Sequence, residues 1–303
     1  MNVNTNKTYM VSAIITTHNR LTLLKRAIES VKLQTYRNIE LIVVSDGSED
    51  GTKEYCQSRN DFIFIHIPKE YSKGGNYARN RGIEQSTGNY IAFLDDDDYW
   101  MPTKIEHQVT AMKKHPECRF CYAAYHKEME QDTYTANFNL TTPQIKEIEE
   151  HAVDISSRSL TWSLALTSSL FVERNFLTEV GLFDENLKMH QERELVIRMA
   201  QKSKAVQIDT PLWIYNIPNN DSNVSRKYEN FKKSTAYLHK KHHTLYERLS
   251  KREKLIDRMM WLRVNKAMAI NTGHYTNAIL SYILIPFLSF RLKLMDITRT
   301  VIR

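Results

Sequence analysis

The sequence predicts an α/β fold: a mostly parallel, twisted sheet flanked by helices, followed by a basic α-helical C-terminal region. Two observations carry this expectation. First, short β-branched apolar runs alternate with amphipathic helical stretches through the first ~115 residues, the pattern of right-handed β-α-β units. Second, the charge is divided: 226–303 holds 17 Lys and Arg against 5 Asp and Glu, a net +12 in a chain whose total is +7. At 303 residues and 42% hydrophobic, the chain suits one large α/β domain with an appendage.

The elements follow in order. MVSAIITT (10–17) is β-branched and apolar, a buried strand. LTLLKRAIESVKLQT places Leu24, Ala27, Ile28 and Val31 on one helical face. IELIVVS (39–45) is a second strand ended by DGSEDG, then a short helix over 52–57 and a third strand, FIFIH (62–66). GGNYARNRGIEQSTG reads as a helix ending near Gly88. NYIAFL (89–94) is the fourth strand, and PTKIEHQVTAMKK a helix with proline in its first turn. RFCYAAY reads as a strand, 131–159 as loop-rich, and LTWSLALTSSLFVE as a turn and strand. QERELVIRMAQ reads as a helix, KAVQI and PLWIYNI as two short strands, and everything from Arg226 onward as helical.

In a parallel sheet, ligands bind beyond the carboxyl ends of the strands. Three of the four strands end in polar groups expected to converge there: Thr17-His18-Asn19-Arg20, Asp46-Gly47-Ser48, and Asp95 to Asp98. Carboxylates packed as closely as Asp95–Asp98 either raise their pKa values or recruit a cation. A hard ion, Mg²⁺ or Mn²⁺, suits all-oxygen ligation completed by substrate phosphates. The alternative is a solvated acidic turn. Asp46 is either a turn-former or an acceptor for hydrogen bonds from a base or ribose.

VSAIITTHNR, ELIVVSDGSEDGT, ARNRGI, GNYIAFLDDDDYW and GLFDENLKMHQERELVIRMA occur in one order. Together they resemble the inverting family 2 glycosyltransferases with the GT-A (Rossmann-like) fold, over roughly residues 10–225. The resemblance implies a GT-A catalytic domain over 1–225, with a nucleotide-sugar half (1–115) and an acceptor half (116–225). It implies a nucleotide-diphosphate sugar donor, most often UDP-linked, and a divalent metal. By resemblance Thr16, His18 and Arg20 lie in the first nucleotide-contacting loop. Asp46 contacts the nucleobase, and Lys73, Asn76 and Arg79 close over the nucleotide. Asp97 is the metal ligand with Asp95 beside it. Asp95 and Asp96 also hold ribose, sugar or metal-bound water, and Asp98 caps the following turn.

Inversion needs a carboxylate to take the proton of the attacking hydroxyl. By resemblance that base is Glu192, with Glu194 as the fallback, and Trp162 and Gln191 are acceptor-side candidates. Four positions depart from the family pattern. Ser45 replaces the usual second acid, Glu192 replaces aspartate, and Asn216 and Pro218 replace an arginine and a histidine. The loop Asn219–Ser225 is expected to fold over the donor.

The acceptor class is expected to be a glycan, lipid-linked or protein-linked hydroxyl. Absent G-x-G-x-x-G and P-loop patterns argue against dehydrogenases and NTPases. The opening strand also lacks the Gly-rich loop of sugar-nucleotide pyrophosphorylases. A non-enzymatic alternative is a silent scaffold or membrane adaptor using the basic tail. Cys118 and Cys121 read as core residues, and His242 and His243 as surface residues. The N-terminal MNVNTNKTYM lacks the apolar core of a signal peptide, and with 3 cysteines the chain reads as cytoplasmic. NAILSYILIPFLSF (277–290), broken by Pro286, falls short of a spanning helix. With its flanking positive charge it reads as an inner-leaflet membrane contact or a subunit contact. No recognisable nucleic-acid module accompanies the basic tail.

Overall fold

A computed structural model describes residues 8–129, 148–217 and 228–301. Pro218 and the Asn219–Ser225 loop lie outside the described residues, as does most of the loop-rich stretch after 130. The described residues divide into two compact units: Met1–Asp154, Ala165–Glu185 and Arg198–Asn219 form one, and Ile155–Leu164, Asn186–Ile197 and Asn220–Arg303 the other.

The first unit is built on a nine-stranded sheet. Strands β1 (Val11–Thr17), β2 (Ile39–Asp46), β3 (Ile63–Ile67) and β4 (Tyr90–Asp95) lie side by side in the order β3-β2-β1-β4, all parallel. Every residue of β1 is buried, as expected of a central strand with helices on both faces. Helices α1 (Leu21–Lys32), α2 (Thr52–Gln57), α3 (Gly75–Gln85) and α4 (Lys104–Lys114) complete the crossovers. α1 buries Leu24, Ala27, Ile28 and Val31, as its periodicity predicts. α3 lies so close to β1 that a Cβ on Gly82 would meet Ile14 Cγ2 at 2.6 Å. Pro102 precedes α4 rather than opening it, and its carbonyl accepts from Thr35 N.

Beyond β4 the sheet departs from the expected pattern. Short β5 (Tyr99–Trp100), long β6 (Cys118–Met129), β7 (Glu150–Val153) and β8 (Phe171–Glu173) precede β9 (Lys204–Ile217). β8 runs antiparallel between β4 and β6, and β9 pairs parallel with β6. β9 is one strand where the sequence suggested two, because the break at Pro211 is absorbed as a register shift against Ala123–Tyr125. β7, α5 (Ser156–Thr161) and α6 (Arg174–Val180) were not expected, each being too short or too polar to show a period. Cys118 and Cys121 are free thiols in the core.

The second unit is helical. It comprises α5, the first turns of α7 (Gln191–Ala200), α8 (Tyr228–Lys241), α9 (His243–Arg248), α10 (Lys251–Asn271) and α11 (Tyr275–Val301). α10 opens with a capping box between Ser250 and Glu253. α11 corrects the reading of the apolar tail. It continues through Pro286, and Ala278–Asp296 is a 19-residue window of mean hydropathy 1.6, long and apolar enough by length and composition to cross a membrane. Counting an uninterrupted apolar run missed it.

At the amino-terminal ends of β1, β2 and β4, one carboxylate ties the crossovers together. Glu40 accepts from Ser12 Oγ, Thr87 N, Thr87 Oγ1 and Gly88 N. Burial pushes its pKa up, but these hydrogen bonds outweigh burial and hold it below the usual carboxylate range. A depressed acid stabilises the fold above its unfolded pKa of about 4.3 and loses that contribution as pH falls through the folded value. Glu40→Gln is therefore expected to cost about 1–3 kcal/mol at neutral pH. Denaturant unfolding should show the gap from wild type narrowing below about pH 4.

Candidate active site

β1 and β4 are adjacent and parallel, with Thr16 opposite Asp95, so the carboxylate run leaves the sheet beside the end of β1. Asp98 N closes a turn on Asp95 O at 3.1 Å. The turn aims the four side chains at different partners. Thr17 Oγ1 donates to Asp96 Oδ2 at 2.7 Å. Arg20 Nη1 bridges Asp96 Oδ1 at 3.1 Å and Asp97 Oδ2 at 2.9 Å. From the second turn of α3, Arg79 Nη2 donates to Asp95 Oδ1 at 2.5 Å. Asp98 accepts from Ser168 Oγ at 2.5 Å and from Asn216 N at 3.2 Å.

Two guanidiniums thus touch carboxylate oxygens. A third, Arg26, donates only to the Asp97 carbonyl, at 2.7 Å. Four ionised carboxylates outnumber even all three cations. The excess appears in the pKa values. Burial, then the Asp97 charge, pushes Asp96 up to about 7 against the opposing pull of Arg20 and Thr17. Asp97 is raised by burial and by Asp95, and Asp98 well above the carboxylate range by burial and by Asp97 and Asp95. This surplus fits a divalent cation. Among the described residues no group of three or more His, Cys, Asp or Glu forms a complete ligand set, so remaining ligands would come from substrate and water.

Asp46 ends β2 two strands from β4. Gly74 N donates to its Oδ2 at 2.8 Å, while its Oδ1 is buried with no hydrogen-bond partner among the described residues. A buried carboxylate oxygen left unpaired is costly, and a base N–H or ribose hydroxyl would satisfy it. The DGS turn beneath it depends on Gly47, at φ 70°, where a Cβ would also meet Lys69 Cα at 3.2 Å. His18 lies over the same turn, its Nδ1 hydrogen-bonded to the Asp46 carbonyl.

The other expected donor residues separate. Thr16 is buried at the β1 end, between Val44 and Asp95. Lys73 is exposed, its Nζ 4.8 Å from the Tyr77 ring centre. Asn76 is buried and donates to the Asp184 carbonyl at 2.6 Å, and Arg79 is spent on Asp95. The expectation that Asp98 caps a turn is corrected: its side chain links the turn to the 3-10 turn at 167–169 and to β9.

In the helical unit, Gln191 and Glu192 begin α7 just after His190, which adopts φ 62°. Glu192 is half-buried, and Gln191 Nε2 donates to the Lys188 carbonyl at 3.2 Å. Glu194 is fully buried between Lys241 Nζ at 2.8 Å and His242 Nε2 at 3.0 Å, which removes it as an alternative base. His242 is therefore a buried partner rather than a surface residue, while His243 is exposed. Trp162 is 42% exposed, which rules out a purely core role.

Thr17, expected at the same strand ends, proves to be the partner of Asp96, whereas Arg26 and Ser168 also hold the carboxylate run and neither was expected there. Ser168 is 70 residues from Asp98, and no local pattern announces the contact.

The run should divide in a thermal melt. Asp98→Ala leaves a buried hydroxyl and a buried N–H without their acceptor and should cost about 2–4 kcal/mol. Asp97→Asn removes like-charge repulsion and should melt at or above wild type; a large loss would contradict the charge-surplus account.

Comparison with known proteins agrees with this architecture. Residues 12–170 match the family described as glycosyl transferase family 2. An Escherichia coli UDP-Glc:alpha-D-GlcNAc-diphosphoundecaprenol beta-1,3-glucosyltransferase, WfaP, is 40% identical over 119 residues, 39% of this chain and 47% of its own. S. aureus TarS 1-349 in complex with UDP-GlcNAc superposes with a TM-score of 0.58 at 15% identity, covering 93% of this chain and 91% of that one. A mannosyltransferase from Pyrobaculum calidifontis in complex with GDP-Man and Mn2+ gives 0.54 at 16% identity, covering 94% and 85%. At such identities the solved structures speak for the fold alone, a GT-A-like α/β architecture. The matches span about half to three-fifths of the length of the first curated relatives. The family match covers more than half of the chain, and the chain belongs to glycosyl transferase family 2.

Proposed function

We propose that this chain transfers a sugar, with inversion, from a UDP-linked donor to a hydroxyl of a lipid-diphosphate-linked glycan. The observation that carries the donor half is the buried Asp46 Oδ1, without a partner among the described residues, at the same end of the sheet as the carboxylate run and two strands from it. The UDP-GlcNAc complex of TarS and the UDP-Glc named for WfaP support a uridine donor. WfaP's diphosphoundecaprenol acceptor supports a lipid-linked one.

In this reading Asp46 accepts from the base or ribose, and Asp96 is kept in place by Thr17 and Arg20. Glu192 takes the proton of the acceptor hydroxyl as its oxygen attacks the anomeric carbon from the side opposite the diphosphate. The new glycosidic C–O bond forms as the bond to the diphosphate breaks, and the electron pair leaves with UDP. Asp97, with Asp95, would hold a divalent cation, Mn²⁺ or Mg²⁺, which when bound neutralises charge on the departing diphosphate.

The test is transfer from a panel of UDP-sugars to a lipid-diphosphate GlcNAc acceptor. Glu192→Gln should lower turnover at least about 10²-fold while donor binding survives. Asp97→Asn should weaken donor binding itself. Normal turnover by Glu192→Gln contradicts the base assignment. A wild-type chain that neither transfers nor hydrolyses any UDP-sugar supports the silent-adaptor alternative instead.

A further inference from the structure

Among the described residues, the helical unit carries an apolar surface that its own fold does not cover. α11 packs one face on α10, where Leu284, Ile285, Leu288, Leu292 and Met295 meet Leu255, Met259 and Leu262. At about 100° per residue, its opposite face is equally apolar. Ile279, Leu280, Ile283, Phe287, Phe290 and Leu294 form a stripe there, each 47–65% exposed. Contiguous exposure of so many large apolar side chains is rare on a soluble surface and marks an interaction site.

The charges around the stripe indicate its occupant. Arg291 and Lys293 are both exposed and fall at opposite edges of it on the helical wheel. Lys266 of α10 reaches over the Tyr282 ring, its Nζ 3.4 Å from the ring centre. An apolar stripe bordered by long cationic side chains fits acyl chains below and anionic headgroups at the rim. A second copy of the chain is a poorer fit, because it would bring another cationic rim, from a region of net +12, against the first.

The same packing decides between lying on the membrane and crossing it. α10 and α11 run antiparallel, with Ala269 near Ala278 and Arg252 paired to Asp296 at 2.8 Å. If α11 spanned a bilayer, α10 would go with it, taking exposed Arg258 and Arg263 to the level of the apolar window. Charged side chains facing lipid at that depth are strongly disfavoured. Lying flat, the stripe enters the headgroup boundary and α10 stays in water.

We propose that the exposed face of α11 is a monotopic docking surface for an anionic lipid leaflet. The assignment does not depend on which sugar or acceptor the carboxylate site takes. The full chain is mixed with sedimentable vesicles of phosphatidylcholine, with or without phosphatidylglycerol. Wild type should pellet with phosphatidylglycerol vesicles, and Phe287→Asp/Phe290→Asp should reduce the bound fraction about tenfold at an unchanged melting temperature. Arg291→Glu/Lys293→Glu should abolish the preference for anionic lipid. Wild type that stays in the supernatant, or a Phe287→Asp/Phe290→Asp variant that pellets equally, overturns the proposal. So does light scattering in which wild type is an oligomer that this variant converts to monomer without any vesicle binding, which would make the stripe a contact between copies.

Discussion

A buried strand ends in four consecutive carboxylates, and much of the surrounding architecture exists to make that tolerable. Burial pushes Asp96, Asp97 and Asp98 toward holding a proton, and the neighbouring carboxylates push the same way. The fold answers with specific donors: the Thr17 hydroxyl, the Arg20 guanidinium shared by two acids, Arg79 from the next crossover helix, and Ser168 with the Asn216 amide for the last member. Thr17 and Arg20 share the end of β1, and the other donors come from three further stretches of chain. Adjacent β1 and β4 bring Thr17 and Arg20 within reach, and β9, three places beyond β4 in the sheet, brings Asn216. The compensation is incomplete. What remains is a set of carboxylates whose proton affinity is raised, a strain that a bound divalent cation would relieve.

The parallel half of the sheet was legible from the sequence because its signals are local. A β-branched run, a polar turn and an amphipathic helix each announce themselves within about ten residues. The carboxyl-end residues could be named for the same reason: each stands one step past a strand. What the sequence did not disclose was long-range. Asp98 looks like a turn residue until Ser168 and Asn216 are placed beside it. Asn76 looks like a donor contact until Asp184 is found within 2.6 Å of it. Glu194 and Glu192 are indistinguishable acids on one helical turn until Lys241 and His242 bury the first.

The helical region shows a subtler limit. Its periodicity, charge and helicity are all visible in the sequence, and an apolar segment there is plain. Pro286 suggests a break, yet the helix runs through it. Apolar residues on both faces of one helix cannot be sorted by pattern into those that pack on α10 and those that face outward. Only the packing of α10 on α11 separates Leu288, at 3% exposure, from Phe287 beside it at 63%. A core-packing face and a docking face can therefore share one uniformly apolar sequence.

The account turns on whether the carboxylate surplus is a cation and diphosphate site rather than a structural oddity. The direct measurement is calorimetric titration of UDP into metal-stripped protein, with and without Mn²⁺. The account predicts clear UDP binding with Mn²⁺ and a loss of about tenfold or more in affinity when EDTA replaces it. Equal affinity under both conditions would contradict it.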